Sequence, residues 1–456
     1  MKALPELVIL APRDPALARK TAARMVELGI HFPFLSPGDR LPAELPDDLR
    51  GCKGVVLSEA AAPPLEARLA EFARSGGRVM RWSEDDWQKE SGIERVAVRC
   101  ALTLRNPAMR ARREALADRE VLEAALSWGA TYRLDRWSDV LRHQIEGFLG
   151  AHALDPHGDF LDRAASLVER ALEIAPRPAD NCDHISCLAP ILDFTEATGR
   201  RDLLGPCRRM AGEYLRSASR YRGVLSNFTC DNEAGLARAE IAFQVCPALA
   251  RLGRHTGESR YADLAGEQIL LSDEILRVEP SGLWTLGVGD GGRTPALWGR
   301  GAVFGFRGVV DTLAELGPAH PARERLLGIA QRMAAALRAF QQPEGTWRQV
   351  LDEPSVEMEC SATAWATAGL AKAVRLGMLS PDYAECVRRG WLATKRNTWE
   401  GMPVNACQSV TASRDPEYYR HRPFLRPAPY GHFPAVAAVE FLRFQLAAVR
   451  FTVPLL

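Results

Sequence analysis

The sequence has neither the long apolar run of a membrane-spanning helix nor an excess of charge of one sign. No stretch approaches about 18 uninterrupted apolar residues, and 58 Lys and Arg balance 57 Asp and Glu for a formal net charge of +1. The apolar run of residues 7–11 is broken by Pro12 and Arg13 and has no small-residue cleavage site, so it indicates a strand and not a signal peptide. We therefore expect no nucleic-acid partner, no membrane partner and a cytoplasmic location.

The common cofactor and nucleophile motifs are missing as well. The ten cysteines are scattered without a C-x-x-C pair, which is typical of reduced thiols packed in a core. No P-loop or G-x-S-x-G occurs, and P-R-D-P at residues 12–15 replaces the glycine-rich turn of a dinucleotide site. The histidines are few and isolated, and none forms an H-x-x-x-H pair. We expect no metal and no cofactor.

The first hundred residues have the pattern of a small α/β domain. Apolar runs at residues 7–10, 30–35, 54–57 and 76–80 alternate with helical stretches at 16–28 and 65–75, which indicates a parallel sheet. Residues 69–80 resemble an edge of amidotransferase-like or flavodoxin-like domains. Cys52 precedes a strand and does not stand on a strand-to-helix turn, so it is not the nucleophile of such a domain. We predict an accessory domain over residues 1–100, through which the chain would form a homo-oligomer.

From about residue 115 onward a helical period dominates, and its segments recur. We expect helices at 160–174, 203–217, 239–252, 324–340, 362–376 and 381–394. Asp183 lies seven residues before Pro190, and Glu240 lies seven before Pro247, an offset of 57 residues; a Thr-Gly turn then recurs after 58. Helix pairs of this length over residues 105–456 predict a mainly α domain of about six pairs, an (α/α)6 toroid. An open helical solenoid fits the period almost as well.

Four ordered stretches favour the toroid. Residues 297–301 read L-W-G-R-G, residues 341–349 read Q-Q-P-E-G-T-W-R-Q, residues 359–364 read E-C-S-A-T-A, and residues 418–423 read Y-Y-R-H-R-P. In order and spacing they are similar to the W-x-R-G, Q-x-x-x-G-x-W-x-Q, E-x-S-x-T-A and Y-Y-x-x-R-P signatures of glycoside hydrolase families 105 and 88. The resemblance covers about residues 120–445.

The resemblance implies a six-hairpin toroid that hydrates the double bond of a 4,5-unsaturated uronic acid. It assigns the catalytic carboxyls to Asp183 and Glu240, and Glu240 falls where the family has an Asp in a W-x-D run. It assigns contacts with an oligosaccharide substrate to Trp298 and Arg300. Thr285 stands where the family has an active-site His, so the framework matches more closely than the catalytic positions do.

Each candidate also has a purely structural interpretation. Asp183 suits a helix N-cap, and Glu240, which we expect within a helix over 236–252, suits a solvated helix face. Trp347 and Arg348 suit substrate binding or a core and its rim. His184 suits a proton shuttle or a packed polar group. Tyr419 lies near the aromatic, proline-rich loop 423–434, which suits the rim of a pocket, and Glu359 suits a structural first-turn acid.

Three functions remain open from the sequence. The leading hypothesis is a glycoside hydrolase that releases a 4,5-unsaturated uronic acid from uronic-acid-containing oligosaccharides. A second keeps the toroid and acts on a saturated glucuronide or another glycoside, because the Glu240 and Thr285 positions depart from the family. A third is a non-catalytic toroid that binds sugar or protein.

Overall fold

A computed structural model describes most of the helical region and parts of the N-terminal region. The described residues are 7–10, 34–35, 54–57, 63–75, 78–81, 111, 113–130, 137, 139–226, 235–399, 401–403, 406–407, 410, 412–422, 424–425 and 432–452. The chain divides into two compact units. The first comprises residues 1–115, 404–406 and 424–429, and the second comprises 116–403, 407–423 and 430–456.

The first unit contains a parallel sheet in its described part. Its strands and helix are β1 (Leu7–Leu10), β2 (Phe34–Leu35), β3 (Gly54–Leu57), α1 (Pro63–Arg74) and β4 (Arg78–Arg81). The strand order is β2-β1-β3-β4, with all neighbours parallel. These elements fall where the sequence predicts strands and one of its helices. The predicted helix at 16–28 and Cys52 lie outside the described residues, and a domain over residues 1–100 stays a prediction.

The second unit consists mainly of helices in two layers. Six inner helices are α3 (Asp139–Leu154), α6 (Leu188–Thr198), α9 (Cys246–Thr256), α11 (Gly299–Glu315), α13 (Cys360–Arg375) and α16 (Phe433–Thr452). Six outer helices are α2 (Asp118–Ala130), α4 (Phe160–Glu173), α7 (Leu204–Ser217), α10 (Ser259–Leu276), α12 (Arg323–Phe340) and α14 (Ala384–Arg396).

The inner helices form a closed ring. Each packs against the next inner helix along the chain, and α16 packs against both α13 and α3. Each of α4, α7, α10, α12 and α14 directly follows an inner helix in the chain, whereas α2 packs against the last one. An open solenoid would leave its first and last helices apart, so these contacts favour the toroid over the solenoid.

Short elements occupy the connections. The short helices are α5 (Asp183–Ser186), α8 (Glu240–Gln244) and α15 (Pro416–Arg420), with 3-10 turns at Arg201–Leu203 and Pro381–Tyr383. The short strands are β5 (Arg220–Tyr221), β6 (Val224–Leu225), β7 (Ala237–Arg238), β8 (Arg277–Val278), β9 (Leu283–Trp284), β10 (Gly287–Gly289), β11 (Gly292–Arg293), β12 (Trp347–Arg348), β13 (Met358–Glu359), β14 (Thr398–Trp399), β15 (Met402–Pro403), β16 (Ala406–Cys407) and β17 (Phe424–Leu425).

The internal repeat of the sequence is a repeat of structure. A short helix precedes an inner helix twice, as α5 before α6 and α8 before α9. Both α6 and α9 end at a glycine in the left-handed region. Gly199 and Gly257 both have φ of 73° and donate backbone hydrogen bonds to the residue four positions earlier. Glycine adopts this conformation without the steric cost of a Cβ, which explains both Thr-Gly turns.

The single helix predicted over 239–252 is wrong. Residues 237–238 form a strand, α8 ends at Gln244, and α9 begins at Cys246. Pro247 has no N–H to give to the carbonyl of Phe243, so the helix cannot run through this point. That carbonyl accepts instead from Nη1 of Arg142 at 2.7 Å. Glu240 therefore begins a short helix and does not lie within a long one.

The middle of the ring is filled by aromatic rings. Phe243 stacks on Phe304 with centroids 4.7 Å apart, and His143 lies 4.5 Å from Trp365, which in turn contacts Phe433. All five residues are at most 9% exposed. Burial of such large rings on several inner helices is a major source of stability for this layer.

Ion pairs tie the inner helices to one another. Asp311 accepts from Arg307 at 2.9 Å and from Lys372 at 2.6 Å, and Arg251 bridges Asp193 at 2.9 Å and Glu315 at 3.1 Å. The neighbouring cations hold the pKa of Asp311 below its ordinary value although burial acts in the opposite direction. The inner layer is thus cross-linked by charge as well as packed.

Candidate functional site

Asp183 opens α5 and is only partly buried. Its backbone N–H donates to Oδ1 of Asn181 at 2.9 Å, and its carbonyl accepts from Nε1 of Trp137 at 3.0 Å. No side-chain cap hydrogen bond forms at this helix, so the interpretation of Asp183 as an N-cap is wrong. The main chain is held by these bonds while the side chain keeps partial access to solvent.

Glu240 opens α8 and lies beside a cation. The residue is 8% exposed, so the expectation of a solvated helix-face carboxylate is wrong. Nη2 of Arg238 lies 2.5 Å from Oε1 of Glu240, and Nε lies 3.1 Å from Oε2. This two-bond geometry is the one in which guanidinium groups bind carboxylates most strongly. Arg238 lies on β7, which pairs with β10.

A cysteine connects these two segments. Sγ of Cys182 donates to Oε1 of Gln244 at 2.7 Å, and α5 packs against α8. Burial raises the pKa of the Cys182 thiol well above its ordinary value, and the nearby carboxylates of Asp183 and Glu240 raise it further. The thiol is therefore an uncharged hydrogen-bond donor here. The structure thus brings the two carboxyls predicted from the sequence onto neighbouring short helices.

Tyr419, on α15, lies close to the same region. It is fully buried, and its hydroxyl donates to the carbonyl of Ser413 at 3.0 Å. Burial raises its pKa, and both Arg238 and Glu240 are near enough to contribute to it. The side-chain amide of Gln349 donates to its carbonyl. Most of the loop 423–434 lies outside the described residues.

Arg300 belongs to a buried network. Its Nε donates to Oγ of Ser361 at 2.7 Å. Its Nη2 lies 3.5 Å from Oε1 of Glu359 and donates to the carbonyl of Cys407. The guanidinium carbon lies 5.1 Å from the ring centre of Trp298. Arg300 and Trp298 are 5% and 2% exposed. This arrangement supports the wall of the ring, and direct contact of these residues with substrate stays a prediction.

Glu359 anchors that network, as its structural interpretation required. Oε2 accepts from the backbone N–H of Ala362 at 2.6 Å, which makes Glu359 the N-cap of α13. Oε1 accepts from the N–H of Cys407 at 2.9 Å. Glu359 therefore has a structural role, but it acts from the N-cap position of α13 and does not lie in its first turn.

The remaining candidates differ in exposure. Trp347 is fully buried and donates from Nε1 to the carbonyl of Leu337 at 2.8 Å, whereas Arg348 is half-buried and bonds to Val356 and Gln342. Binding roles for both stay predictions.

His184 is also half-buried. Its ring lies 3.2 Å from a carboxylate oxygen of Asp180, and burial lowers its pKa while Asp180 acts in the opposite direction. The imidazole is therefore mostly neutral at pH 7, and its role stays a prediction.

Thr285 lies in the core and not at an open surface. It is 1% exposed, and its hydroxyl lies 2.5 Å from that of Thr294 and 2.8 Å from the carbonyl of the same residue. The side chain is thus fully engaged within its own connection. Nothing in this position supplies the imidazole that the sequence resemblance leads one to expect.

The sequence analysis missed Arg238, Cys182 and Gln244. Between residues 235 and 250, Arg238 and Glu240 are the only charged side chains in a stretch that is otherwise apolar and neutral. Two opposite charges so close together in such a stretch have to satisfy each other if they are buried. That signal was available, whereas nothing in the sequence indicates the pairing of Cys182 with Gln244.

The arrangement suits acid–base work by side chains. A carboxyl with partial solvent access lies near a second carboxyl that is charge-paired, and hydroxyl, thiol and amide groups surround them. Among the described residues, no group of three or more His, Cys, Asp or Glu side chains is placed to hold a metal ion. In the same part of the chain, no helix is both long and apolar enough to cross a membrane.

Comparison with known proteins gives one family match. The family described as Glycosyl Hydrolase Family 88 matches residues 143–445, which is more than half of the chain. An unsaturated 3S-rhamnoglycuronyl hydrolase from Alteromonas sp. (strain LOR) is 27% identical over 187 residues, which cover 39% of this chain and 45% of that protein. The alignment thus spans less than half the length of this relative.

Solved structures share the fold. A possible member of glycoside hydrolase family 105 from Salmonella enterica serovar Paratyphi A superposes with a TM-score of 0.64 and 21% identity, covering 73% of this chain and 96% of the other. The unsaturated glucuronyl hydrolase of Bacillus sp. GL1 superposes with a TM-score of 0.55 and 16% identity, covering 72% and 97%. At these identities the likeness establishes the fold alone.

Proposed function

Because the chain belongs to glycoside hydrolase family 88, we propose that it is a glycosidase that acts on uronic-acid-containing oligosaccharides and removes a 4,5-unsaturated uronic acid residue from them by hydrating its double bond. One observation carries the proposal. Asp183 and Glu240 open the equivalent short helices of two repeats, and Cys182 and Gln244 join these helices. Two carboxyls so placed supply the two proton transfers that hydration of a double bond needs.

The reaction is an addition of water followed by collapse. One carboxyl gives a proton to C4 of the unsaturated ring, and positive charge develops at C5 and the ring oxygen. Water adds at C5 and gives its proton to a carboxylate. The resulting hemiketal opens to a ketone, and C1, now a hemiacetal, releases the leaving sugar. Enol ethers are protonated in this manner by carboxylic acids, so no metal is required by the chemistry.

The other candidates divide by exposure into two roles. His184 and Arg348 are half-buried, so we propose that they contact the sugar and its carboxylate directly. Trp298, Arg300, Trp347 and Tyr419 are buried. We propose that these four act in substrate binding through the surfaces that they position.

The test is turnover by variants that remove each carboxyl. Asp183→Asn and Glu240→Gln should each lower kcat by about 10²–10⁴-fold. The assay measures turnover as the decrease in the double-bond absorbance of an unsaturated disaccharide. Asp202→Asn is the matched control, because Asp202 is an exposed carboxylate that pairs with Arg200 at 2.8 Å. Unchanged turnover by both site variants would remove the assignment.

A second candidate reaction is hydrolysis of a saturated glucuronide or another glycoside. It is favoured by Thr285, whose buried hydroxyl is bonded to Thr294 where the family resemblance leads one to expect a His. Activity on a saturated aryl uronide, without activity on an unsaturated disaccharide, would favour this reaction. A non-catalytic toroid would be favoured by a Glu240 that faces solvent, and Glu240 is buried.

We also propose that residues 1–100 form an accessory α/β domain through which the protein is a homo-oligomer in the cytoplasm. The parallel order of β1 to β4 supports the domain class, and scattered free cysteines fit a reducing compartment. Light scattering on the full chain should give a mass of at least two chains of 50.2 kDa each. A monomer over the micromolar range would contradict the oligomer.

A further inference from the structure

We propose that Arg238 is a positioning residue that holds the side chain of Glu240 in one orientation at the proposed catalytic site. The inference rests on the proposed function and adds a residue that acts through one of its two carboxyls.

The geometry of the pair fixes the orientation of the Glu240 carboxyl group. Two nitrogens of one guanidinium face its two oxygens, at 2.5 and 3.1 Å. Bonds from one planar guanidinium to both oxygens leave the carboxyl group little freedom to rotate.

Because both side chains of this ion pair are buried, the loss of one partner should have a large effect on the other. The side chains of Arg238 and Glu240 are 4% and 10% exposed. An ion pair exposed to water contributes little, but removing one partner of a buried pair leaves a charge without compensation. The guanidinium also limits rotation of a side chain that is one methylene longer than aspartate. Glu240 is thereby held as firmly as a shorter acid would be.

The groups around Glu240 come from three other segments. Cys182 lies near it on the α5 segment, Tyr419 on α15, and Arg238 on β7. The inner helix α11 meets α8 through Phe304, which stacks on Phe243, and through Gly308, which lies against Ala242. Arg238 is the cation in hydrogen-bonding contact with Glu240.

The experiment compares Arg238→Ala and Arg238→Lys with Arg200→Ala, on an unsaturated disaccharide. Arg200 and Asp202 form the same two-residue spacing of guanidinium and carboxylate, but on the exposed surface. We expect Arg238→Ala to lower kcat by about 10²-fold or more with KM changed only a few-fold. Arg238→Lys should recover part of the loss, since lysine keeps the positive charge but cannot donate to both carboxylate oxygens from one planar group. Arg200→Ala should match the wild type.

Chemical rescue separates positioning from general damage. Guanidinium chloride at low, non-denaturing concentration should raise kcat of Arg238→Ala and leave Glu240→Gln unchanged, and the double variant should be no slower than Glu240→Gln alone.

Two results would overturn the inference: a kcat for Arg238→Ala within twofold of wild type, or losses that add fully in the double variant. If Arg238→Ala fails to fold, Arg238→Lys with the same readouts decides. A wild-type protein that does not consume the unsaturated disaccharide overturns the proposed function itself, and the two failures are thereby distinguished.

Discussion

The thiol of Cys182 donates to the side-chain oxygen of Gln244 at 2.7 Å, across 62 residues of chain. Each residue lies one turn or less from a candidate catalytic carboxyl, Asp183 or Glu240. The bond therefore joins the two repeats at the level where the chemistry is proposed. Loss of this structural contact should therefore lower mainly the catalytic rate.

Replacement of Cys182 by Ala should affect activity more than stability. Loss of one buried hydrogen bond costs about 1 kcal/mol, but a small displacement of one carboxyl relative to the other should lower kcat by about tenfold. The control is Cys207→Ala, since Cys207 is equally buried on the outer helix α7. Urea unfolding and initial rates on both variants make the comparison. Equal rates for the two would show that the bond does not position the site.

Replacement of Arg300 by Met should destabilise the protein. Glu359 would remain fully buried without its guanidinium partner, and such a loss costs about 3–5 kcal/mol. Combining Arg300→Met with Glu359→Gln should recover part of the loss, because the buried charge is then absent as well. Denaturant titration of the single and double variants measures this. A stable Arg300→Met variant whose only defect is a raised KM would assign Arg300 to substrate binding.

Gly308→Ala should disturb the segment that carries Glu240. A Cβ at Gly308 would lie 2.2 Å from the carbonyl oxygen of Ala242, so α11 or α8 would have to move. We expect a loss of about 1–3 kcal/mol together with a lower kcat. Gly328→Ala is the matched control, because Gly328 also lies in a helix and has open space at its Cβ position. That variant should gain about 0.5–1 kcal/mol. Equal behaviour of the two variants would contradict the packing described.

Acid should destabilise the fold through buried imidazoles. Burial lowers the pKa of His432 from 6.5 to about 3, and the pKa of His143 is also lowered well below 6.5. The unfolded chain then binds these protons at higher pH than the folded protein does. Stability is fully present above pH 6.5 and, for His432, falls as the pH drops from 6.5 toward 3, by about 1.4 kcal/mol per pH unit for each imidazole.

The variant His432→Gln should reduce this slope by the share of one imidazole. Its side chain can still accept from the amide of Gln144, which lies 3.2 Å from His432. His421→Gln is the control, because the His421 side chain is 78% exposed. Urea titrations at pH 7, 6 and 5 give the slopes. An unchanged slope in His432→Gln would show that this imidazole is not the group that titrates.

The helix count and the repeat were readable because they depend on local chemistry. Gly199 and Gly257 end equivalent helices at the Thr-Gly turns that define the 57-to-58-residue offset. Helix termination by a left-handed glycine needs no information from distant residues. For the same reason α4, α7, α12 and α13 lie within one or two residues of their predicted positions.

The site could be predicted only in part, because its contacts are non-local. The family resemblance, supported by the repeat, indicated Asp183 and Glu240. The break after Gln244 depends on Pro247 together with Arg142, which is 101 residues away from the carbonyl it binds. Likewise Trp298 and Arg300 have the composition of a sugar site, and only the tertiary partners Glu359, Ser361 and Cys407 reveal a buried network. The sequence indicates which side chains are available. Which of them are buried and which pair with one another depends on residues that are far away in the sequence.

Turnover of a 4,5-unsaturated disaccharide in D2O, followed by NMR, tests the central claim most directly. Protonation of the double bond by an exchangeable carboxyl predicts that each released uronic acid carries one deuterium at C4, and that Asp183→Asn and Glu240→Gln lose this signal. Release of the leaving sugar with the C4–C5 double bond intact, or no consumption of the disaccharide by the wild-type protein, would contradict the account.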